Sequence, residues 1–147
     1  MKSWMHGKGT VGPEFYGDAD NPSAIVIRHD FSVTGIEFFS PSSFSQQLGL
    51  MTRPSGYHVP AHRHNVVSRT ISITQEVLLI RSGNCQVNLF NEDNEIEHTI
   101  NLFSGDVILL AHGGHEVIMV SKCDILEVKQ GPYAGDQDKT HLLPVNI

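Results

Sequence analysis

The sequence predicts an all-β domain, a sandwich or barrel of short strands. Three observations predict it. Helix signals are nearly absent, apolar and polar residues alternate in short runs, and turn residues separate those runs at close spacing. The 147 residues suit a single domain over 1–147, long enough to bury a core and too short for two. Within it the N-terminal strands occupy 24–47, the core 48–128 and an irregular tail 131–147.

Taken in order, Ala24–His29 is a first apolar run and Gly35–Phe39 a second. The one helix candidate is Ser42–Gln47, preceded by Pro41. Leu48–Thr52 reads as a strand, followed by a Gly/Pro/His-rich stretch. Thr70–Thr74 alternates Ile71 and Ile73 with polar partners, as a half-buried strand does. Glu76–Arg81 holds a continuous apolar run, Val77–Ile80, the pattern of a strand covered on both faces. Cys85, Val87 and Leu89 share one face of the next strand, and Asn91–Asn94 is a polar hairpin connection. The return strand alternates Ile96, His98, Ile100 and Leu102 with polar residues. Val107–Leu110, Val117–Ser121 and Asp124–Lys129 complete the set. The tail is expected to dock through Leu142, Leu143 and Val145. Phe38, Phe39, Phe90 and Phe103 are expected in the core.

Charge and composition narrow the function. A net charge of −6 without a basic cluster argues against a nucleic-acid partner. No stretch has the roughly 20 apolar residues of a membrane helix, and the first residues lack the apolar region of a signal peptide. Cys85 and Cys123 sit in apolar runs and read as reduced, buried thiols. A cytoplasmic protein is expected.

The histidines carry the chemical signal. His62 and His64 are two apart, so on an extended segment both imidazoles point the same way and Arg63 points opposite. Glu76 opens the next strong strand and can add a carboxylate. His115 opens a later one after Gly113 and Gly114. Two or three imidazoles with one carboxylate suit one divalent transition metal ion: Fe, Mn, Ni, Cu or Zn. His112 reads as a turn residue, the alternative being an acid/base at the cavity mouth. His98 reads as a satisfied barrel or interface histidine and His58 as a solvated loop residue. Glu127 reads equally as a partner supporting the site or an outward ion pair. Arg69 and Arg81 read as surface residues.

These residues also fall into two ordered motifs. Gly56 precedes His62 by five intervening residues, His64 follows, and six residues separate Glu76 from Gly83. Gly105, Ala111, Gly113 and His115 form the second. In this the chain resembles the cupin superfamily, and its 125–139 segment looks like that of small bacterial metal-binding cupins. Two departures stand out. Residues 65–75 exceed the usual gap between the His pair and the Glu, and Ala111 replaces a proline with the second-motif His one residue early.

The resemblance implies a double-stranded β-helix, the cupin or jelly-roll barrel, with the metal held by His62, His64, Glu76 and His115. It also implies a homodimer and a small-molecule ligand or substrate. The function expected is metal-dependent action on a small organic molecule, as a dioxygenase or as a Lewis-acid isomerase or lyase. The alternatives are a non-catalytic metabolite-binding cupin and a metal-free sugar-nucleotide isomerase or epimerase.

Overall fold

A computed structural model describes residues 12–142. The chain is all-β, with ten strands and one short 3-10 turn at Gly135–Gln137 among the described residues. The strands are β1 (Glu14–Gly17), β2 (Pro22–Ile27), β3 (Gly35–Phe38), β4 (Gly49–Thr52) and β5 (Glu76–Ser82). They continue with β6 (Asn84–Phe90), β7 (Ile96–Phe103), β8 (Val107–Leu110), β9 (Gly114–Met119) and β10 (Asp124–Lys129). All pairings are antiparallel. One sheet has the order β1-β2-β8-β5-β10, a second β7-β6-β9, and β3-β4 is a separate hairpin.

The period-two pattern decides what lies between the sheets. Ala24 and Val26 of β2, Leu78 and Ile80 of β5, and Ile108 and Leu110 of β8 project from the five-stranded sheet. Cys85, Val87 and Leu89 of β6, with Ile100 and Leu102 of β7, meet them from the three-stranded sheet in one buried cluster. The centre of the opposite face of the five-stranded sheet is covered as well. Ile25, Leu109 and Ala111 pack there under Phe44, with Leu48 and Val77 at the margin. This second layer explains why the middle of β5, Val77–Ile80, is continuously apolar.

Phe44 belongs to the stretch expected to be helical. Residues 42–47 are instead turns and bends. Their serines and glutamines bond locally in place of a helix ladder: the Gln47 side-chain amide donates to the carbonyls of Pro41 (3.0 Å) and Phe44 (2.9 Å). Residues 70–74 are also irregular, although they alternate. No described strand lies beside them, and a strand without a neighbour leaves its backbone groups to water. Strand β1 lay outside the expected set. It is short and pairs with β2, with Tyr16 opposite Ala24.

Two polar details hold the sandwich. Asp106 is buried and accepts from Arg28 Nη1 (2.8 Å) and the backbone amides of His29 (3.0 Å) and Phe103 (3.0 Å). Arg28 also donates to Glu14 (2.7 Å) and the Asn101 carbonyl (2.7 Å), tying β1, β2 and the β7–β8 turn. At the β5–β6 turn Gly83 has φ +77°, and a side chain there would run into the Lys122 carbonyl. Across the β6–β7 connection, Asn91 Oδ1 accepts from the amides of Asp93 (3.0 Å) and Glu95 (2.9 Å).

The expected barrel is not closed among the described residues. β9 ends the three-stranded sheet with one edge unpaired, and residues 53–75 between β4 and β5 form no strand. Every residue from 51 to 74 is exposed. This arm is anchored at its far end: Gln75 is buried, and its Oε1 accepts from the Gln46 amide (3.0 Å) and the Ser45 hydroxyl (3.2 Å). The tail meets the sandwich through Leu142, whose side chain lies against Gly114. Leu143 and Val145 lie outside the described residues.

Candidate functional site

Glu76 and His115 are 39 positions apart in sequence and lie on different sheets. Register places both on inner faces. Glu76 is in step with the buried Leu78 and Ile80, while His115 and Val117 sit opposite the buried Leu89 and Val87. His115 Nε2 stands 3.2 Å from Glu76 Oε2, with side-chain exposures of 32% and 21%. The contact is therefore made at the rim of the core, open to solvent on one side.

Strand β10 adds two charges to the same rim. Lys129 pairs with Glu76 and Glu127 with Leu78 in register, and Lys129 Nζ lies 3.6 Å from Glu76 Oε1 and 3.1 Å from Glu127 Oε1. The hydrogen bond from His115 holds the Glu76 carboxyl below the usual carboxylate range. Burial opposes that shift, and the charges of His115 and Lys129 reinforce it. Glu76 is ionised at neutral pH. Lys129 was missed in the sequence. The signal that could have found it is the period-two relation of Ile125, Glu127 and Lys129, which puts all three on the face of Ile80, Leu78 and Glu76.

His62 and His64 are brought to each other but not to this pair. Their rings sit 5.4 Å apart, centroid to centroid, edge to face, on the exposed arm. His62 Nδ1 lies 2.9 Å from the Pro60 carbonyl, which can only accept. Nδ1 is therefore the donor in this contact, and Nε2 is the ring nitrogen left free of it. Among the described residues no three of His, Cys, Asp and Glu stand where one ion could bind them together. The four ligands expected from the sequence thus form two pairs.

The remaining candidates have ordinary settings. His112 Nε2 donates to the Asn21 carbonyl (3.0 Å), which pins the β8–β9 turn. His98 stacks edge-on against Tyr16 at 5.4 Å. His58 and Arg69 are on the exposed arm, and Arg81 faces Asp124 at 3.5 Å on the surface. Phe90 is buried, but Phe38 and Phe103, expected in the core, are exposed. Phe103 is out of step with the buried Ile100 and Leu102 of β7, and Phe38 lies on the β3–β4 hairpin, which contributes no residue to either core cluster. Cys85 and Cys123 are free thiols, and burial, aided by Cys123, pushes the Cys85 thiol up to about 11.

A hollow of about 720 Å³ lies between Ser42–Gln47 and Arg69–Ile71. Neither Glu76 nor His115 lines it. No helix among the described residues is long and apolar enough to cross a membrane. No protein-family model matches this sequence, and no curated protein and no solved structure matches it either.

Proposed function

We propose that the chain is a cupin-type jelly-roll protein that holds one divalent transition metal ion and acts with it on a small organic molecule. The observation that carries this reading is the Glu76–His115 contact. Metal bonds near 2.1 Å put two donor atoms on one ion about 3.0–3.4 Å apart, depending on octahedral or tetrahedral geometry. The Oε2–Nε2 separation of 3.2 Å falls in that interval, with the carboxylate already ionised. Two donors do not make a site, and in a single chain the arm pair does not complete it. No reaction step is therefore assigned to the ion. When bound, it would supply Lewis-acid or redox chemistry.

What the chain's own residues do is narrower. Glu76 and His115 offer two converging donors at the core rim. Lys129 supplies a positive charge that an anionic group on a small molecule would meet. The test is elemental analysis of protein purified without an affinity tag. About one transition-metal ion per chain is expected, with loss in Glu76→Gln and in His115→Ala. A wild-type content near zero for every transition metal after metal loading removes the reading.

A second reading is favoured by the same contact taken as it stands: Glu76 orients His115, and the pair moves a proton without metal, as in an isomerase or epimerase. It predicts turnover that survives chelator and fails in His115→Ala.

A further inference from the structure

We infer that Cys85 and Cys123 form a redox-active dithiol, which a hydroperoxide converts to a disulfide that joins the two sheets within one chain. The pair stands apart from the metal reading and shares none of its residues.

The chain changes sheets twice at one corner. After Ser82 it leaves the five-stranded sheet through Gly83 and enters β6 of the three-stranded sheet; after Met119 it returns through residues 120–123 to β10. The two crossings lie side by side. Cys85 is opposite Met119 in register, and Asp124 is opposite Ser82. The amides of Val120 (3.1 Å) and Ser121 (3.2 Å) both donate to the Asn84 carbonyl, and the Asn84 amide donates to Ser121 Oγ (3.0 Å). A Cβ placed on Gly83 would stand 2.9 Å from the Cys123 Cα. These contacts hold Cys123 beside the start of β6.

The side chains meet as well. Alternation turns Cys85 to the inner face with Val87 and Leu89, and Cys123 packs against the same buried cluster from the turn. The two thiols are near enough to hydrogen-bond. Side chains in contact do not have Cβ vectors that point apart, the arrangement that forbids a bridge. These are the two cysteines of the whole sequence, so no other thiol of the chain competes for either.

Access to them is unequal. Cys85 is 0% exposed, whereas Cys123 is only partly buried. Burial, and then Cys123 itself, keeps Cys85 protonated, so oxidation begins at Cys123. The Cys123 thiolate attacks one oxygen of the hydroperoxide. An S–O bond forms, the O–O bond breaks, and the other oxygen leaves as an alcohol, or as water from hydrogen peroxide. Cys85 Sγ then attacks the Cys123 sulfur. The S–S bond forms, the S–O bond breaks, and the departing hydroxide takes the Cys85 proton and leaves as water. The two thiols lose two electrons and the peroxide gains them. An accessible thiol with a resolving thiol beside it is the arrangement of redox-sensing cysteines. Strands β5, β9 and β10 carry Glu76, His115 and Lys129 near their other ends, so the bridge staples the sheets away from that rim.

The test treats the reduced full chain with hydrogen peroxide, unfolds it in N-ethylmaleimide to block remaining thiols, and digests it with trypsin. No Lys or Arg lies between Arg81 and Lys122, so peptides 82–122 and 123–129 carry one cysteine each. The intact chain should lose about 2 Da, and the two peptides should run linked until dithiothreitol separates them. The yield should not change on about tenfold dilution, because the bridge closes within one molecule. Cys85→Ala should stop at a Cys123 sulfenic acid that dimedone traps, and Cys123→Ala should leave Cys85 a thiol. Peroxide-treated wild type in which both cysteines still react with N-ethylmaleimide overturns the inference. So does Cys123 sulfinic acid without linked peptides, or a disulfide that joins separate chains. Cys85 oxidised as fast in Cys123→Ala as in the wild type overturns it too, since the buried thiol would then need no partner. The wild-type map decides even if neither variant folds.

Discussion

The sandwich and the arm are built from residues of similar apolarity, yet one region is buried and the other exposed. In β5 the residues Leu78 and Ile80 are buried because facing strands cover them. In the arm Ile71 and Ile73 alternate just as cleanly and stay exposed, because no neighbouring strand takes up their backbone. Alternation thus states which face a side chain would take, while pairing decides whether that face is covered.

The largest effect that would break this contrast lies in the sandwich. Asp106→Ala leaves Arg28 partly buried beside a missing charge, and a loss of about 3–5 kcal/mol is expected from urea unfolding. A loss under about 1 kcal/mol would mean that water readily replaces the carboxylate. Next, Leu78→Ala should cost about 2–5 kcal/mol by opening a cavity between the sheets, whereas Ile73→Ala should stay within about 0.5 kcal/mol for the single chain. Equal costs would place both residues in one core.

The Cys85 thiol, pushed up from 9.0 to about 11, supplies a pH test. The folded state holds this proton more tightly than the unfolded chain. Its contribution is therefore complete below pH 9 and is lost as pH rises from about 9 to about 11. Stability measured across that window should fall in the wild type and fall less in Cys85→Ala. At pH 8 iodoacetamide should label Cys123 before the buried Cys85. The smallest effect is expected in the arm. His62→Ala and His64→Ala should each shift stability by no more than about 0.5 kcal/mol. Trypsin should cut after Arg63 and Arg69 well before any site in the sheets, and strong protection there would show that the arm is covered in solution.

Much of the fold was legible from composition and periodicity. Strands β2, β3, β4, β5, β6, β7, β8 and β10 match apolar runs bounded by turn residues, because pleated strands impose a period of two on any chain that buries one side. The departures have one physical source. The serine-rich 42–47 segment and the alternating 70–74 segment are read correctly only when their surroundings are known: Phe44 is anchored on the outer face of a sheet, and Ile71 lies in a segment that pairs with no described strand. Half of the candidate site was similarly legible. Glu76 and His115 stood out as polar residues opening apolar strands, and they do meet. Lys129 did not stand out, because its relevance depends on which strand lies next to β5.

By itself the sequence determined that this chain forms short strands and where most of them begin, since those depend on local propensity and a two-residue period. Only the tertiary structure decided that Glu76 and His115 converge, that Lys129 joins them and that His62 and His64 stand apart. Those are distances between residues remote in the chain, and strand order sets them, which no local pattern encodes.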